Sequence, residues 1–156
     1  MVMLTVIIPV YNEEENISRL VEEIQAVAPD LHDSYEILLV DDCSTDRSLQ
    51  IIRQLAEQIE TLRYLSFARN SGQSAALYAG FQAATGDVIV TLDADLQNDP
   101  ADIPMLLAKL EEGYDVVSGW RKERHDNAVT RLLPSKMANW LISRITGVML
   151  HDYGCT

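Results

Sequence analysis

Two aspartates two positions apart, Asp93 and Asp95, follow an apolar run, and Gln97 comes two residues later. Side chains two apart on an extended backbone point to one side, so both carboxylates are expected to face a common point. Hard oxygen donors of this kind suit Mg²⁺ or Mn²⁺, which keep waters and take further ligands from a substrate phosphate. Gln97 would add a neutral oxygen or reach the ion through water. Turns also use aspartate freely, so an isolated Asp-x-Asp says little. Here two more polar clusters, Pro9-Val10-Tyr11-Asn12-Glu13 and Asp41-Asp42-Cys43-Ser44, each end an apolar run of their own. One acidic pair would merely complement a helix dipole. Several converging carboxylates repel one another unless a cation or a hydrogen-bonding ligand lies among them.

The elements that must position these clusters alternate along the chain. Strands are expected at 4–10, 35–40, 63–67, 87–92 and 115–118. Most of them are unbroken Val/Ile/Leu runs, the pattern of strands covered on both faces. Helices are expected at 13–28, 45–59, 72–85, 102–112 and 128–147, with Ile17, Leu20, Val21 and Ile24 at helical spacing in the first. Asp102 is positioned to cap the fourth, with Pro104 in its first turn and Gly113 at its end. Ala75, Ala76, Ala79, Gly80 and Ala83 give the third a small-residue face suited to close packing on a sheet. Such alternation predicts an α/β fold, a mostly parallel sheet with helices on both faces, in a single domain over 1–156. In open parallel sheets ligands bind beyond the carboxyl ends of the strands, where all three polar clusters fall.

Composition narrows the function. The chain has 156 residues, 47% of them hydrophobic and 23% charged, enough apolar material for one sizeable core. No run approaches the ~18 apolar residues that would span a bilayer, and Met1 leads straight into a strand-like run, so a cytoplasmic protein is expected. Cys43 and Cys155 make no disulfide framework, and His32, His125 and His151 are too scattered for a zinc site. A net charge of −12 argues against nucleic acid as a partner. The charge is uneven: residues 1–118 carry 6 bases and 21 acids, whereas 119–156 carry 6 bases and 3 acids. A basic end of this sort fits either an anionic ligand or a solvated helix face. Trp120 and Trp140 serve either as acceptor platforms or as packing.

Other templates fail. Neither G-x-G-x-x-G nor G-x-x-x-x-G-K-[ST] occurs, and G-x-S-x-G is absent, which removes dinucleotide, P-loop and α/β-hydrolase readings. Haloacid-dehalogenase-like phosphatases and receiver domains place their acidic pair after the first strand, not the fourth.

The strings TVIIPVYNEEENI, EILLVDDCSTD, ARNSGQSAALYAGFQAATGDVIVTLDADLQNDP and DVVSGWR resemble the inverting glycosyltransferases of family 2 with the GT-A, Rossmann-like fold. The branch most resembled is that of dolichol-phosphate mannose synthase and the bacterial polyprenyl-phosphate glycosyltransferases. The likeness runs from about residue 4 to the last residue. It implies transfer of a sugar from a nucleotide-diphosphate donor to a polyprenyl (dolichyl or undecaprenyl) phosphate, with inversion and a divalent ion, Mg²⁺ or Mn²⁺. By position it implies that Pro9, Tyr11, Glu13, Val40, Asp41 and Asp42 contact the nucleoside, that Ala94 lies beside the diphosphate, and that Asp93, Asp95 and Gln97 hold the metal. Arg121 would meet donor phosphate, Arg131, Ser135 and Lys136 the acceptor phosphate, and Asp152 takes the position of a base. Two departures stand out: Cys43 replaces a common glycine, and the chain stops where relatives continue into further helices. The chain is therefore expected to be a truncated catalytic domain, which leaves open a nucleotide-sugar-binding fragment inactive without its missing part. The apolar Leu132, Leu133, Met137, Trp140 and Leu141 interleave with the bases and suit either a membrane surface or the core, and the intact enzyme is expected at the inner face of the membrane.

Overall fold

The computed structural model describes residues 3–27 and 34–119. Four parallel strands, β1 (Met3–Val10), β2 (Ser34–Asp41), β3 (Leu62–Ser66) and β4 (Val88–Thr91), form one sheet in the order β3-β2-β1-β4. Helices α1 (Ile17–Val27), α2 (Ser48–Gln58), α3 (Gln73–Ala83) and α4 (Ile103–Glu111) connect or follow them. The chain divides into two compact units, Met1–Ala108 and Lys109–Thr156, and the sheet lies in the first.

Alternation along β1 and β2 sorts the core into two layers. Leu4, Val6, Ile8 and Val10, with Ile37 and Leu39, pack against Leu20, Val21 and Ile24 of α1, Ile52 of α2, and Ile103 and Leu107 of α4. Ile7, Leu38 and Val40 face the other way, onto Ala76 of α3. Helices therefore cover both faces, as expected. The small-residue face of α3 lets this second layer close tightly. A Cβ on Gly80 would lie 2.5 Å from Ile7 Cγ2, so only glycine fits without displacing a fully buried side chain.

At the opposite end of the sheet from the polar clusters, the buried Glu36 is the hub of a polar network. Its Oε1 accepts from Thr5 Oγ1, Thr85 N–H and Thr85 Oγ1, each at 2.8 Å, and its Oε2 accepts from Arg63 Nη1 at 2.8 Å. Burial disfavours the charged carboxylate, but the Thr85, Arg63 and Thr5 hydrogen bonds outweigh it and hold the group below its ordinary value of 4.5.

Three sequence expectations need correction. Residues 115–118 form no strand; Val116 is largely exposed, so pairing there would bury too little apolar surface to offset ordering. The first helix begins at Ile17 rather than 13, because residues 13–16 turn back on themselves: Asn16 and Ile17 N–H both donate to Glu13 O. Asp102 ends a 3-10 turn, Pro100–Asp102, that leads into α4, and the carboxylate cap is that of Asp99, which accepts from Ala101 N–H at the start of this turn. The expected helix at 128–147 lies outside the described residues.

Candidate active site

The topology fixes where a ligand can enter. The chain runs from β1 outward to β2 and β3, with α1 and α2 on one face, then returns across β1 to β4 with α3 on the other. Right-handed crossovers running in opposite directions require opposite faces, and the strand ends part at β1/β4. A cleft of about 510 Å³ opens there. Pro9, Val10, Tyr11 and Glu13 line it from the end of β1, Asp42 from beyond β2, and Asp93, Ala94 and Asp95 from beyond β4.

The floor is held by cross-loop hydrogen bonds. Asn12 takes φ of 58°, and its side-chain oxygen accepts from Thr45 N–H at 2.7 Å while its own N–H donates to Ser44 Oγ at 3.0 Å. Glu13 N–H donates to Ser48 Oγ at 2.8 Å, and Glu14 accepts from Arg47 N–H and Nε. These bonds tie the β1 and β2 loops together and present Tyr11, 48% exposed, and Glu13, whose Oε2 accepts from Asn16 Nδ2. Cys43 also has positive φ, 62°, a backbone conformation that favours glycine.

The Asp-x-Asp segment is a turn rather than a continuing strand. Leu96 has φ of 60°, and Asp95 Oδ1 accepts from Gln97 N–H at 3.0 Å. Both carboxylates nonetheless line the cleft, while Gln97 is exposed and outside the lining. No group of three or more His, Cys, Asp or Glu side chains is arranged to hold a metal among the described residues. Two hard carboxylates facing a cleft with room for a ligand still fit Mg²⁺ or Mn²⁺, ions that complete their shells with water and phosphate oxygens.

Among the residues assigned to the nucleoside, Pro9, Tyr11, Glu13 and Asp42 come together. Val40 and Asp41 do not reach the cleft with their side chains. Val40 is fully buried against α3, and Asp41, also fully buried, accepts from Ser44 N–H and Ser66 Oγ. Asp42 has structural work besides: its two oxygens accept from Ser71 and Gly72 N–H, each at 2.7 Å. The β3–α3 loop so held supplies three lining residues that the sequence reading overlooked, Asn70, Gly72 and Gln73. The strand-end rule applied to the third strand as to the other three would have found them. Arg121, Arg131, Ser135, Lys136 and Asp152 lie outside the described residues.

The glycosyl transferase family 2 model matches residues 5–153, nearly the whole chain. The chain belongs to glycosyl transferase family 2. It is 45% identical over 155 residues to the dodecaprenyl-phosphate galacturonate synthase of Rhizobium johnstonii, covering 98% of this chain and 46% of that protein. It is also 45% identical over 152 residues to the undecaprenyl-phosphate 4-deoxy-4-formamido-L-arabinose transferase of Pseudomonas fluorescens, covering 97% of this chain and 44% of the relative. The chain thus spans under half the length of these relatives. Among solved structures, the mannosyltransferase PcManGT of Pyrobaculum calidifontis, in complex with GDP-Man and Mn²⁺, superposes with a TM-score of 0.60 at 27% identity over 74% of this chain and 33% of that one. The fold is the GT-A fold that the sequence resembles. Neither a haloacid-dehalogenase-like phosphatase nor a receiver domain fits, since the acidic pair follows β4.

Proposed function

We propose that this chain is the donor-binding catalytic domain of an enzyme that transfers a sugar from a nucleoside-diphosphate sugar to a polyprenyl phosphate, with inversion at the anomeric carbon. The observation that carries the reading is the cleft at the β1/β4 switch point, where Tyr11 and Glu13 share one cavity with Asp93 and Asp95. The relatives named above act on polyprenyl phosphates, and PcManGT carries GDP-Man and Mn²⁺.

Among the described residues the lining contains four carboxylates, Glu13, Asp42, Asp93 and Asp95, and no basic side chain. These carboxylates repel an anionic diphosphate unless a cation offsets them, so Asp93 and Asp95 are assigned to a divalent ion, with Gln97 at its margin. When bound, that ion neutralises charge developing on the nucleoside-diphosphate leaving group. The exposed Tyr11 ring offers a stacking face for the base, and Pro9 and Glu13 border the ribose. The N-terminal end of α3 opens at Gly72 and Gln73, where the helix dipole favours the diphosphate. Ala94 leaves room for close approach of the phosphates.

The resemblance assigns Arg121 to the donor phosphates and Arg131, Ser135 and Lys136 to the lipid phosphate, for which charge-assisted hydrogen bonds are the natural means. A phosphate monoester with a second pKa of about 6 is already largely dianionic at neutral pH, so the acceptor needs little help from a base such as Asp152. A lipid acceptor implies work at the cytoplasmic face of a membrane, although no helix among the described residues is long and apolar enough to cross one.

The test is transfer by the full-length protein from radiolabelled UDP- and GDP-sugars to undecaprenyl phosphate in Mn²⁺, with the anomeric configuration of the product read by NMR. An inverted glycosyl lipid phosphate supports the assignment. Transfer only to soluble hydroxyl acceptors, or retention of configuration, contradicts it.

A further inference from the structure

The β3–α3 loop connects the two halves of the cleft through side chains. On one side Asp42, 3% exposed, receives Ser71 and Gly72 N–H, and Asn70 Nδ2 donates to its carbonyl at 3.3 Å. On the other side Gln73, the first residue of α3, donates from Nε2 to Asp93 Oδ1 at 2.7 Å. Gln73 thereby starts from a fixed backbone, since the preceding Gly72 is anchored by Asp42 and has φ of 89°.

We infer that Gln73 is a positioning residue for Asp93, fixing the rotamer in which this carboxylate meets the cation–diphosphate group; the inference rests on the functional reading above. A hydrogen bond narrows the set of rotamers that a carboxylate at a strand end samples, and rotamers already lost before the ligand arrives no longer cost binding free energy. A neutral amide donor suits the task. It orients one carboxylate oxygen without bringing a positive charge that would compete with the cation. Hydrogen-bond partners behind a ligating carboxylate commonly change metal affinity by about tenfold or more when removed. Gln73 itself is exposed, so its replacement leaves the core intact.

The experiment is a double-mutant cycle on the whole chain, read by calorimetric binding of UDP and GDP in Mn²⁺ and of the corresponding nucleosides in EDTA. Gln73→Leu keeps the apolar stem and removes the donor. It is expected to weaken Mn²⁺-dependent diphosphate binding about tenfold, leave nucleoside binding and the urea midpoint unchanged, and add no further loss in an Asp93→Asn background. An equal loss in both backgrounds means that Gln73 contacts the ligand directly, and no loss in the parent means that Gln73 does not set the geometry of Asp93; either overturns the inference. A parent chain that binds neither diphosphate overturns the functional reading itself, and this inference with it.

Discussion

Replacing Asp42 by alanine tests whether one buried carboxylate organises the donor cleft. Two backbone amides, Ser71 and Gly72, donate to its separate oxygens at 2.7 Å each, and the side chain is nearly inaccessible. Hydrogen bonds to a charged group contribute about 1.5–3 kcal/mol apiece when their surroundings are dry. The loop itself is exposed, so water replaces part of what is lost, and the expected destabilisation is about 2–3 kcal/mol in all. Urea unfolding should register this as a lower midpoint with an unchanged slope. Amide exchange at Ser71 and Gly72 should accelerate relative to the Ile37–Leu39 amides of β2. Nucleoside binding should fall as well, because Asp42 itself and Asn70 of the same loop line the cleft. A loss under about 0.5 kcal/mol, with unaltered exchange at the two amides, would refute the view that Asp42 holds the loop.

The remaining predictions concern the scaffold. Glu36 is held below its ordinary 4.5 in the folded chain, so its stabilising contribution is full above the unfolded value and disappears as pH falls through the lower folded one. Glu36→Gln should flatten that acid limb in urea titrations between pH 7 and 3; at neutral pH it should cost about 1–2 kcal/mol, the half-exposed Arg63 partner tempering the loss. An unchanged acid limb would contradict the network's role. Gly80→Ala should destabilise by about 1–2 kcal/mol, since overpacking against Ile7 outweighs alanine's helix preference; a neutral or stabilising result in urea would mean that α3 shifts away freely.

Much of this architecture is legible in the sequence because it rests on burial. The apolar runs ending at Val10 and Asp41 are covered on both faces, so their composition alone identifies central parallel strands. The edge strand β3 is legible within one residue although Arg63, Tyr64 and Ser66 are exposed, whereas 115–118 has too little buried apolar surface to become a strand. Within the site, Asp93 and Asp95 stand out in the sequence because they follow an apolar run that ends at the ligand-binding edge of the sheet, and both line the cleft. The division of labour between Asp41 and Asp42 was not legible. Adjacent residues at a strand end point differently, and the direction of each is fixed by distant partners, Ser66 for one and Ser71 with Gly72 for the other. The place of Gln73 beyond β3 is legible from the strand-end rule, but its bond to Asp93 is not, since the two lie 20 residues apart in sequence. The positive φ of Cys43 is likewise set by the fold around it and is not legible from the residue type.

The central claim is that this cleft binds a nucleoside diphosphate through a cation on Asp93 and Asp95. It is tested most directly by calorimetric titration of UDP and GDP into the parent chain and Asp95→Asn, each in Mn²⁺ and in EDTA. Binding of one diphosphate by the parent is expected in Mn²⁺, lost in EDTA and weakened at least tenfold by the substitution, with nucleoside affinity nearly unchanged. Equal diphosphate binding by both proteins, with and without EDTA, would contradict it.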